Sequence, residues 1–277
     1  MTNSTRIGSQ AIAFIGGGNM AGAIIGGLLR QGLPAAQVDV VEPFAQARDK
    51  LRSQLGVVAQ EQAGPALGRA CLVVWAVKPQ TFKDAAAQAR PYTAGALHLS
   101  VAAGIRSDSI AAWLGTQRIV RSMPNTPALV GKGMTALFAR SGATQQDRQL
   151  AQEVIATTGE HLWVQEEAQL DAVTALSGSG PAYVFFFLEA MTQAGIDMGL
   201  SREQAHKLAV GTFVGASELA RASEDPPEVL RQRVTSKGGT TYAAITSMEG
   251  DNMKALFIKA LQAARQRAKE LGDEFGG

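Results

Sequence analysis

Ala11-Ile-Ala-Phe-Ile-Gly-Gly-Gly-Asn-Met-Ala-Gly22 decides how the first half of this chain folds. Five residues with strand-forming side chains run into the pattern Gly16-x-Gly18-x-x-Ala21, and a helical pattern begins directly afterwards. Glycine at 16 permits a tight turn, glycine at 18 lets a pyrophosphate approach the backbone, and the small Ala21 lets helix and strand pack closely. This layout predicts a dinucleotide-binding turn, with a purely structural strand-to-helix turn as the alternative. The residues expected to bind a cofactor here are Gly16, Gly18, Asn19, Met20 and Ala21.

Short strand patterns alternate with helical patterns up to about residue 165, which predicts βαβ units and a parallel sheet. The predicted strands are Ala11–Ile15, Val38–Val41, Leu72–Val77, Leu97–Val101, Ile119–Ser122, Gly133–Ala139 and His161–Val164. The predicted helices between them are Met20–Gln31, Phe44–Leu55, Thr81–Ala89, Ile110–Leu114 and Gln145–Thr157.

Only helical patterns follow from about Glu166 onward. They are Ala168–Ala175, Pro181–Met198, Arg202–Ala222, Pro226–Arg233 and a last region, Ala243–Phe275, that is broken near Gly250. We therefore predict an α/β dinucleotide-binding domain over residues 1–167 and an all-α domain over residues 168–277. The apolar run Val184-Phe-Phe-Phe-Leu188 indicates that the helical half buries a face against a second subunit, unless that face forms an intramolecular core.

The composition excludes several classes of protein. With 26 Lys+Arg against 24 Asp+Glu and no basic patch, nucleic acid is not an expected partner. The single cysteine, Cys71, rules out an internal disulfide framework and fits a reducing compartment, and its apolar neighbours favour a core position over a nucleophile. His98, His161 and His206 lack metal-ligand spacing, so no metal is expected. Without a secretory signal or a membrane-spanning pattern, the sequence predicts a soluble, cytoplasmic protein that does not attach to membranes.

Glu42 follows the second predicted strand, where an acidic side chain can accept hydrogen bonds from the adenosine ribose hydroxyls. The same charge repels the 2′-phosphate of NADP. Arg48 and Lys50 lie downstream and can offset that repulsion if they point back toward the site. The alternative is that Glu42 only faces solvent at a strand end.

Three further segments lie where strands end, and ligands of open α/β sheets bind beyond the carboxyl ends of strands. Lys78 can touch the ribose or a phosphate, small residues after Ser100 allow a flat nicotinamide to come close, and two prolines fix a loop that presents the Asn125 amide. Ordinary turn chemistry is the alternative. The expected cofactor-binding residues of these segments are Ala76, Val77, Lys78, Pro79, Ala102, Ala103, Gly104 and Asn125.

Two segments of the helical half are dense in Ser, Thr and Gly and stand before predicted helix starts: Thr174–Tyr183 and Val234–Thr241. Hydroxyls and free N–H groups at a helix N-terminus bind anions. Capping alone explains one such residue but not this density. We interpret the segments as a site for a small carboxylate.

Together these segments resemble the pyrroline-5-carboxylate reductases, over nearly the whole chain. The matching motifs, in family order, are Gly16-Gly-Gly-Asn-Met-Ala21, Val77-Lys-Pro79, Ser100-Val-Ala-Ala-Gly104, Met123-Pro-Asn-Thr-Pro127, Leu176-Ser-Gly-Ser-Gly-Pro-Ala-Tyr183 and Ser236-Lys-Gly-Gly-Thr-Thr241. The resemblance implies an N-terminal Rossmann domain, an all-α C-terminal dimerisation domain, and homo-oligomers that are dimers or decamers built from dimers. It implies NAD(P)H-dependent reduction of 1-pyrroline-5-carboxylate to L-proline, the last step of proline biosynthesis, at a site between one chain and its partner.

The resemblance also assigns roles in the helical half. It implies that the substrate carboxylate is bound by Val234, Ser236, Gly239, Thr240 and Thr241, and that Thr174, the expected catalytic residue, lies near the substrate nitrogen. We assign no dedicated general acid. Glu224 is a candidate for a proton relay, with a solvated loop carboxylate as the alternative.

Three departures from the family pattern concern the substrate loop and the cofactor. Lys237 stands where the family usually has proline, Ala63 where many relatives have asparagine, and Glu42 where a serine often meets the 2′-phosphate. The cofactor is therefore NADPH or NADH, and Glu42 argues for NADH. The competing functions are a related imine or 3-hydroxyacid reductase and a non-catalytic dinucleotide-sensing protein.

Overall fold

The computed structural model describes residues 10–275 and contains one eight-stranded sheet. Its strands are β1 (Ala11–Ile15), β2 (Val38–Val41), β3 (Ala59–Gln60), β4 (Ala70–Trp75), β5 (Leu97–Ser100), β6 (Ile119–Met123), β7 (Gly133–Ala139) and β8 (Gly159–Trp163). Their order is β3-β2-β1-β4-β5-β6-β7-β8. The predicted bounds of β1, β2 and β7 are confirmed, and the other predicted strands shift by at most two residues at either end. The two-residue β3 was not predicted, because it is too short to show a periodic pattern.

The sheet is parallel except between β6 and β7, which run antiparallel with Ser122 opposite Leu137. The expectation of a parallel sheet is therefore wrong at this pair. A parallel neighbour needs a crossover connection of about a dozen residues or more, usually a helix. The link from β6 to β7 covers only residues 124–132 and contains one short 3-10 turn, Thr126–Val130, so the chain returns in the opposite direction.

Helices cover both faces of the sheet, and the alternation of side chains along the strands builds an apolar core on each. The helices are α1 (Asn19–Arg30), α2 (Ala45–Leu55), α3 (Pro79–Thr93), α4 (Ser107–Leu114) and α5 (Gln145–Ala156). Along β1, Ile12 and Phe14 enter one buried cluster, while Ala13 and Ile15 enter the other. This period of two is what strand geometry requires of a sheet that is buried on both faces. The predicted α/β class is confirmed.

The second half of the chain is helical, as predicted. Its elements are α6 (Gln169–Val173), a π-helical turn (Thr174–Gly178), α7 (Gly180–Asp197), α8 (Arg202–Ala222), α9 (Pro227–Arg233), α10 (Thr240–Gly250) and α11 (Met253–Glu274). The predicted break near Gly250 is confirmed, because α10 ends there and Asn252 adopts a positive φ of 55° before α11 begins. The π-helical turn was not predicted.

The chain forms two compact units, Met1–Ser179 with Ala264–Gly277, and Gly180–Ala263. The final turns of α11 therefore belong to the same unit as the sheet. The domain limits 1–167 and 168–277 stay a prediction. Within residues 10–275, no helix combines the length and the apolar character that a membrane span requires.

Candidate functional site

Gly16 forms a turn that no other residue can form without strain. Its φ is +97°, and a Cβ placed there would lie 2.6 Å from the carbonyl oxygen of Ala76. The Gly16 N–H donates to the Val41 carbonyl at 2.8 Å, and the Ala76 N–H donates to the Ile15 carbonyl at 2.8 Å. The carboxyl ends of β1, β2 and β4 therefore meet at this turn, where the absence of a side chain lets the backbones touch.

The N-terminus of α1 is open and electropositive. Gly18 is the N-cap residue and supplies no side-chain cap, and the first turn carries no acidic residue. A Cβ at Gly18 would meet no atom within 4 Å, so the space in front of the helix is free. Unbonded N–H groups and the positive end of the helix dipole attract phosphate. Asn19, Met20 and Ala21 form this first turn, and the arrangement fits a dinucleotide pyrophosphate.

Glu42 is buried, with only 6% of its surface exposed, so the alternative that it merely faces solvent is wrong. Its Oε2 accepts a hydrogen bond from the Gly17 N–H at 2.7 Å, and its Oε1 accepts one from the Phe44 N–H at 2.9 Å. The carboxylate thus fixes the glycine turn to the start of the segment that follows β2. Each carboxylate oxygen has a second lone pair, which leaves capacity to accept a ribose hydroxyl.

Arg48 and Lys50 both point back toward the turn. The Arg48 guanidinium donates to the carbonyls of Glu42 at 2.9 Å and Pro43 at 2.7 Å, and the Lys50 ammonium donates to Asn19 Oδ1 at 3.3 Å. Arg48 therefore lies at the backbone of Glu42, where it also pairs with Glu61 at 3.5 Å, and Lys50 lies at the first residue of α1. The sequence left open whether these two side chains point back toward the site, and in the structure they do.

The exit of β4 leads directly into α3. Val77 lies against the turn, with its Cγ1 3.1 Å from the Cβ position of Gly16. Lys78 is exposed and occupies the N-cap position of α3, with Pro79 at the first helical position. Proline suits that position because its missing N–H would have no helical partner there. The exit holds the Lys78 side chain at the edge of the sheet, free to reach a phosphate or a ribose.

The loop after β5 is held by its neighbours. Ser100 is buried; its Oγ accepts from the Ala102 N–H at 3.3 Å, and its carbonyl accepts from the Ser122 hydroxyl at 3.0 Å. Gly104 adopts a positive φ of 71°, which favours glycine. The small-residue surface Ala102–Gly104 therefore has a fixed backbone, but Ala102 is only 6% exposed and the Cβ position of Gly104 lies 3.2 Å from Leu271 Cβ. That a nicotinamide ring packs against this segment stays a prediction.

The Asn125 side chain binds within the protein at both ends of its amide. Its Nδ2 donates to the Ser177 carbonyl at 3.1 Å, and its Oδ1 accepts from the Met134 N–H at 2.9 Å. This amide ties the loop after β6 to the π-helical turn and to β7. The Asn125 amide thus has a structural role. For the expected contact with a cofactor it has one remaining N–H and one remaining lone pair on its oxygen.

Thr174 begins the π-helical turn, an irregularity that concentrates at functional sites. Its hydroxyl donates to the Leu170 carbonyl at 2.7 Å. Because its hydrogen is used in this bond, the Oγ1 lone pairs are the part of the group that a ligand can meet. A Cβ at Gly178, the end of the turn, would lie 2.5 Å from Met123 Cε, so β6 packs closely against the turn.

The segment before α10 has the features of an anion site. Gly238 adopts a φ of +76°, and Gly239 caps α10 without a side-chain hydrogen bond or an acidic residue in the first turn. The Gly239 N–H donates to the Ser236 carbonyl at 3.0 Å, which folds the loop back on itself. Thr240 and Thr241 start the helix and add hydroxyls to its free N–H groups. Val234, Lys237 and Glu224 are exposed.

The predicted site residues fall into two groups. Every cofactor residue lies in or beside the carboxyl ends of the parallel strands of the sheet, and Asn125 joins them to the turn that carries Thr174. The substrate-loop residues lie in the other compact unit. Sequence reasoning missed Glu167, whose contacts reach far along the chain.

Cys71 is half-buried and hydrogen-bonded to Gln10, and burial raises the pKa of its thiol. The described residues contain no cluster of three or more metal-ligating side chains.

Family models, related sequences and solved structures all match this chain. Residues 167–271 match the family model described as pyrroline-5-carboxylate reductase dimerisation, and residues 11–104 match that of an NADP oxidoreductase, coenzyme F420-dependent. The pyrroline-5-carboxylate reductase of Pseudomonas aeruginosa is 45% identical over 96% of this chain and 98% of its own length. The solved enzyme of Coxiella burnetii is 39% identical, with a TM-score of 0.88 over 95% of this chain and 98% of its own. The Plasmodium falciparum pyrroline carboxylate reductase, solved with NADP bound, is 26% identical, with a TM-score of 0.86 over 96% of this chain and 99% of its own.

Proposed function

Because this chain belongs to the pyrroline-5-carboxylate reductase family, we propose that its residues reduce 1-pyrroline-5-carboxylate to L-proline with a nicotinamide dinucleotide. The chain is an oxidoreductase of proline biosynthesis. The observation that carries the assignment of the site is the uncapped N-terminus of α1, which stands over free space at Gly18 in a turn fixed by Glu42.

Different residues at the sheet edge bind different parts of the dinucleotide. The first turn of α1 meets the pyrophosphate, Glu42 the adenosine ribose, and Lys78 a phosphate or the second ribose. The surface Ala102–Gly104 receives the nicotinamide ring. When bound, the dinucleotide supplies the hydride that reduces the imine carbon. The protein then has to place the nicotinamide ring and the pyrroline ring face to face. Such positioning supplies a large part of the rate acceleration in reactions of this kind.

The substrate carboxylate binds at the N-terminus of α10. Ser236, Thr240 and Thr241 supply hydroxyls, Gly239 supplies a backbone that an anion can approach, and Val234 flanks the loop. A hydrogen bond to a charged group is worth about 1.5–3 kcal/mol, so a few of them hold the substrate firmly. Lys237 adds a positive charge to the loop at the position next to Ser236.

Thr174 orients the substrate nitrogen as a hydrogen-bond acceptor. Its hydroxyl hydrogen is bound to the Leu170 carbonyl, so Oγ1 can offer the N–H of the protonated imine only a lone pair. The protonated imine is already electrophilic and brings its own proton from solvent. This role differs from proton donation, and it requires no dedicated acid. Glu224 is exposed, and the step as proposed does not use it.

We propose that NADH supports the reaction and is preferred over NADPH. Glu42 places one negative charge at the ribose end, and a 2′-phosphate would face it directly. Arg48 offsets part of this repulsion, but two backbone carbonyls already bind its guanidinium. A unit charge acting across the protein surface at an effective dielectric constant of about 20 contributes a few kcal/mol at contact distance. After the partial offset by Arg48, we expect kcat/KM for NADH to exceed that for NADPH about tenfold.

Two variants test the cofactor preference. Glu42→Gln retains one carbonyl oxygen and removes the charge, so we expect the ratio of kcat/KM for NADPH to that for NADH to rise about tenfold. Asp49→Asn makes the same charge change at an exposed position in α2 and serves as the matched control, with an unchanged ratio. An equal effect of both variants would show that the preference follows net charge and not the Glu42 site.

The helical half is a dimerisation domain, so the chain forms oligomers. Phe185 and Phe186 of α7 are 58% and 67% exposed in the single chain, which is the apolar surface expected of a subunit contact. We propose a dimer as the basic assembly, with decamers built from dimers as the larger form, and a site completed by the partner. The single cysteine supports a cytoplasmic location.

The decisive experiment mixes the purified full chain with 1-pyrroline-5-carboxylate and either NADH or NADPH, and then identifies the product. Oxidation of the dinucleotide with stoichiometric formation of proline is the expected result. Tight dinucleotide binding without turnover would instead support a dinucleotide-sensing protein. Turnover with another cyclic imine or a 3-hydroxyacid, but not with pyrroline-5-carboxylate, would support a related reductase.

A further inference from the structure

Glu167 makes a dense set of contacts that the proposed reaction has not used. Its Oε1 accepts hydrogen bonds from the Ser107 N–H at 2.6 Å and from the Arg121 guanidinium at 2.5 Å. Its Oε2 accepts one from the Ser107 hydroxyl at 2.5 Å. The carboxylate therefore caps the N-terminus of α4 from a distant part of the chain and pairs with a cation in β6.

The Glu167 carboxylate and the Arg121 guanidinium are both charged at neutral pH. Burial by itself raises the pKa of Glu167, but the charge of Arg121 and the hydrogen bonds from Ser107 outweigh it and hold the pKa below its ordinary value. Arg121 is only 7% exposed. A buried guanidinium without its carboxylate would be costly, so the two groups act as a unit.

The contact joins two segments of the candidate site. Ser107 follows the small-residue surface Ala102–Gly104 closely in sequence and is the first residue of α4. Glu167 lies two residues before the start of α6, and α6 continues into the π-helical turn that starts at Thr174. One carboxylate thus fixes the position of the nicotinamide surface relative to the turn that orients the substrate nitrogen.

Arg106 makes a second link between the same two segments. Its guanidinium lies 3.5 Å from Asp171 of α6 and 3.3 Å from Asp273 of α11. A Cβ at Gly272 would lie 2.9–3.0 Å from guanidinium atoms of Arg106, so the arginine lies directly over this glycine of the final helix. The loop between β5 and α4 is held from two sides.

We propose that Glu167 is a positioning residue for hydride transfer, which holds the surface Ala102–Gly104 in register with the turn that carries Thr174. The proposal rests on the function proposed above. Glu167 touches neither reactant, and it acts through Ser107 and the backbone of the loop. A misplacement of about 1 Å between reacting groups can cost on the order of a hundredfold in rate. Loss of this contact should therefore lower kcat and leave binding at the ribose and carboxylate ends in place.

The chain contains a matched control for the variant Glu167→Gln. Asp147 accepts hydrogen bonds from the Thr144 N–H at the start of α5 and from both Nε and Nη2 of Arg118. It is the same kind of contact, a carboxylate that binds a helix start and a guanidinium. It lies beside the amino ends of β5 and β6, because the same arginine also donates to the Gly95 carbonyl. Asp147→Asn therefore removes comparable bonds at the edge of the sheet opposite the candidate site.

Steady-state kinetics of both variants should separate positioning from general stability. For Glu167→Gln we expect kcat to fall about tenfold to a hundredfold, with the KM values for dinucleotide and pyrroline-5-carboxylate within about threefold. For Asp147→Asn we expect a similar fall in Tm and an unchanged kcat. Equal kcat values in the two variants, in an active wild-type background, would overturn the positioning role.

Hydrogen exchange provides a readout that does not depend on turnover. In Glu167→Gln the amides of residues 101–107 should exchange faster, and in Asp147→Asn they should exchange as in the wild-type chain. Unchanged protection in Glu167→Gln would overturn the proposal whatever the substrate is. An inactive wild-type chain with normal loop protection would refute the proposed function instead. If Glu167→Gln does not fold, the double variant Glu167→Gln with Arg121→Met removes the unpaired buried charge, and the same two outcomes apply to it.

Discussion

His98 should make this protein less stable in acid. The side chain is 1% exposed, and its Nδ1 accepts a hydrogen bond from the Trp75 indole N–H at 3.0 Å. Burial lowers the pKa of His98 from 6.5 to about 4, although a hydrogen bond to the backbone of Thr93 works in the opposite direction. Protonation of Nδ1 places a charge in the core and removes the acceptor for the indole.

The sign and size follow from the two pKa values. The unfolded chain binds this proton below about pH 6.5, and the folded chain binds it only below about pH 4. Between these limits the unfolded state holds more protons, so the free energy of unfolding falls as the pH falls. The loss is about 2 kcal/mol at pH 5 and approaches about 3 kcal/mol below pH 4, at 1.36 kcal/mol for each pH unit.

Urea denaturation at pH 8, 7, 6 and 5, at one fixed protein concentration, measures this effect. The comparison is between the wild-type chain and His98→Gln, which cannot take up the proton. The free-energy difference between them should shrink by about 2 kcal/mol from pH 8 to pH 5. Other acid-sensitive groups are common to both proteins and cancel.

Val73→Ala provides the control. Val73 lies opposite His98 in the pairing of β4 with β5, is fully buried, and has no titratable group. Its truncation should cost about 2 kcal/mol by the loss of buried surface, and equally at each pH. A His98→Gln difference that stays constant from pH 8 to pH 5 would refute the reasoning, because the folded and unfolded chains would then bind the proton equally.

Three further variants test other parts of the site. Gly16→Ala brings a Cβ to 2.6 Å from the Ala76 carbonyl at a positive φ, so we expect a loss of about 2 kcal/mol or more in urea denaturation and no measurable dinucleotide binding by calorimetry; normal binding would contradict the turn geometry. Thr241→Ala should raise the KM for pyrroline-5-carboxylate about tenfold to a hundredfold, with little change in the KM for the dinucleotide; an unchanged KM would remove Thr241 from the carboxylate site. Asn125→Ala cuts the tie to the Ser177 carbonyl, so exchange of amides in the π-helical turn should accelerate and kcat should fall, and unaltered exchange would show that the tie is dispensable.

Much of the fold followed from local patterns. The five apolar residues of β1 and the glycines after them predicted the strand, the turn and the start of α1 to within a residue. The predicted bounds of α8, Arg202–Ala222, agree with the structure, which adds a cap at Ser201, whose hydroxyl accepts from the Gln204 N–H. Such signals are available because each element is largely determined by residues near one another in the chain.

Other features depended on contacts that no local pattern records. The helix predicted over Ile110–Leu114 starts earlier, at Ser107, where Glu167 satisfies its first N–H. Likewise, the sequence placed Glu42 beside the cofactor, but the structure shows that its carboxylate also binds the Gly17 N–H. Both contacts join residues that are distant in the chain.

The sequence by itself determined the class of fold, because glycine spacing and apolar periodicity act over a few residues, and its motifs were enough to show the resemblance to one enzyme family. Only the tertiary structure decided which side chains are free to act. It showed that the hydroxyl hydrogen of Thr174 is already used, that both ends of the Asn125 amide are bound, and that β7 runs against β6. Hydrogen-bond partners depend on where distant segments pack, and packing is a property of the whole core rather than of any one segment.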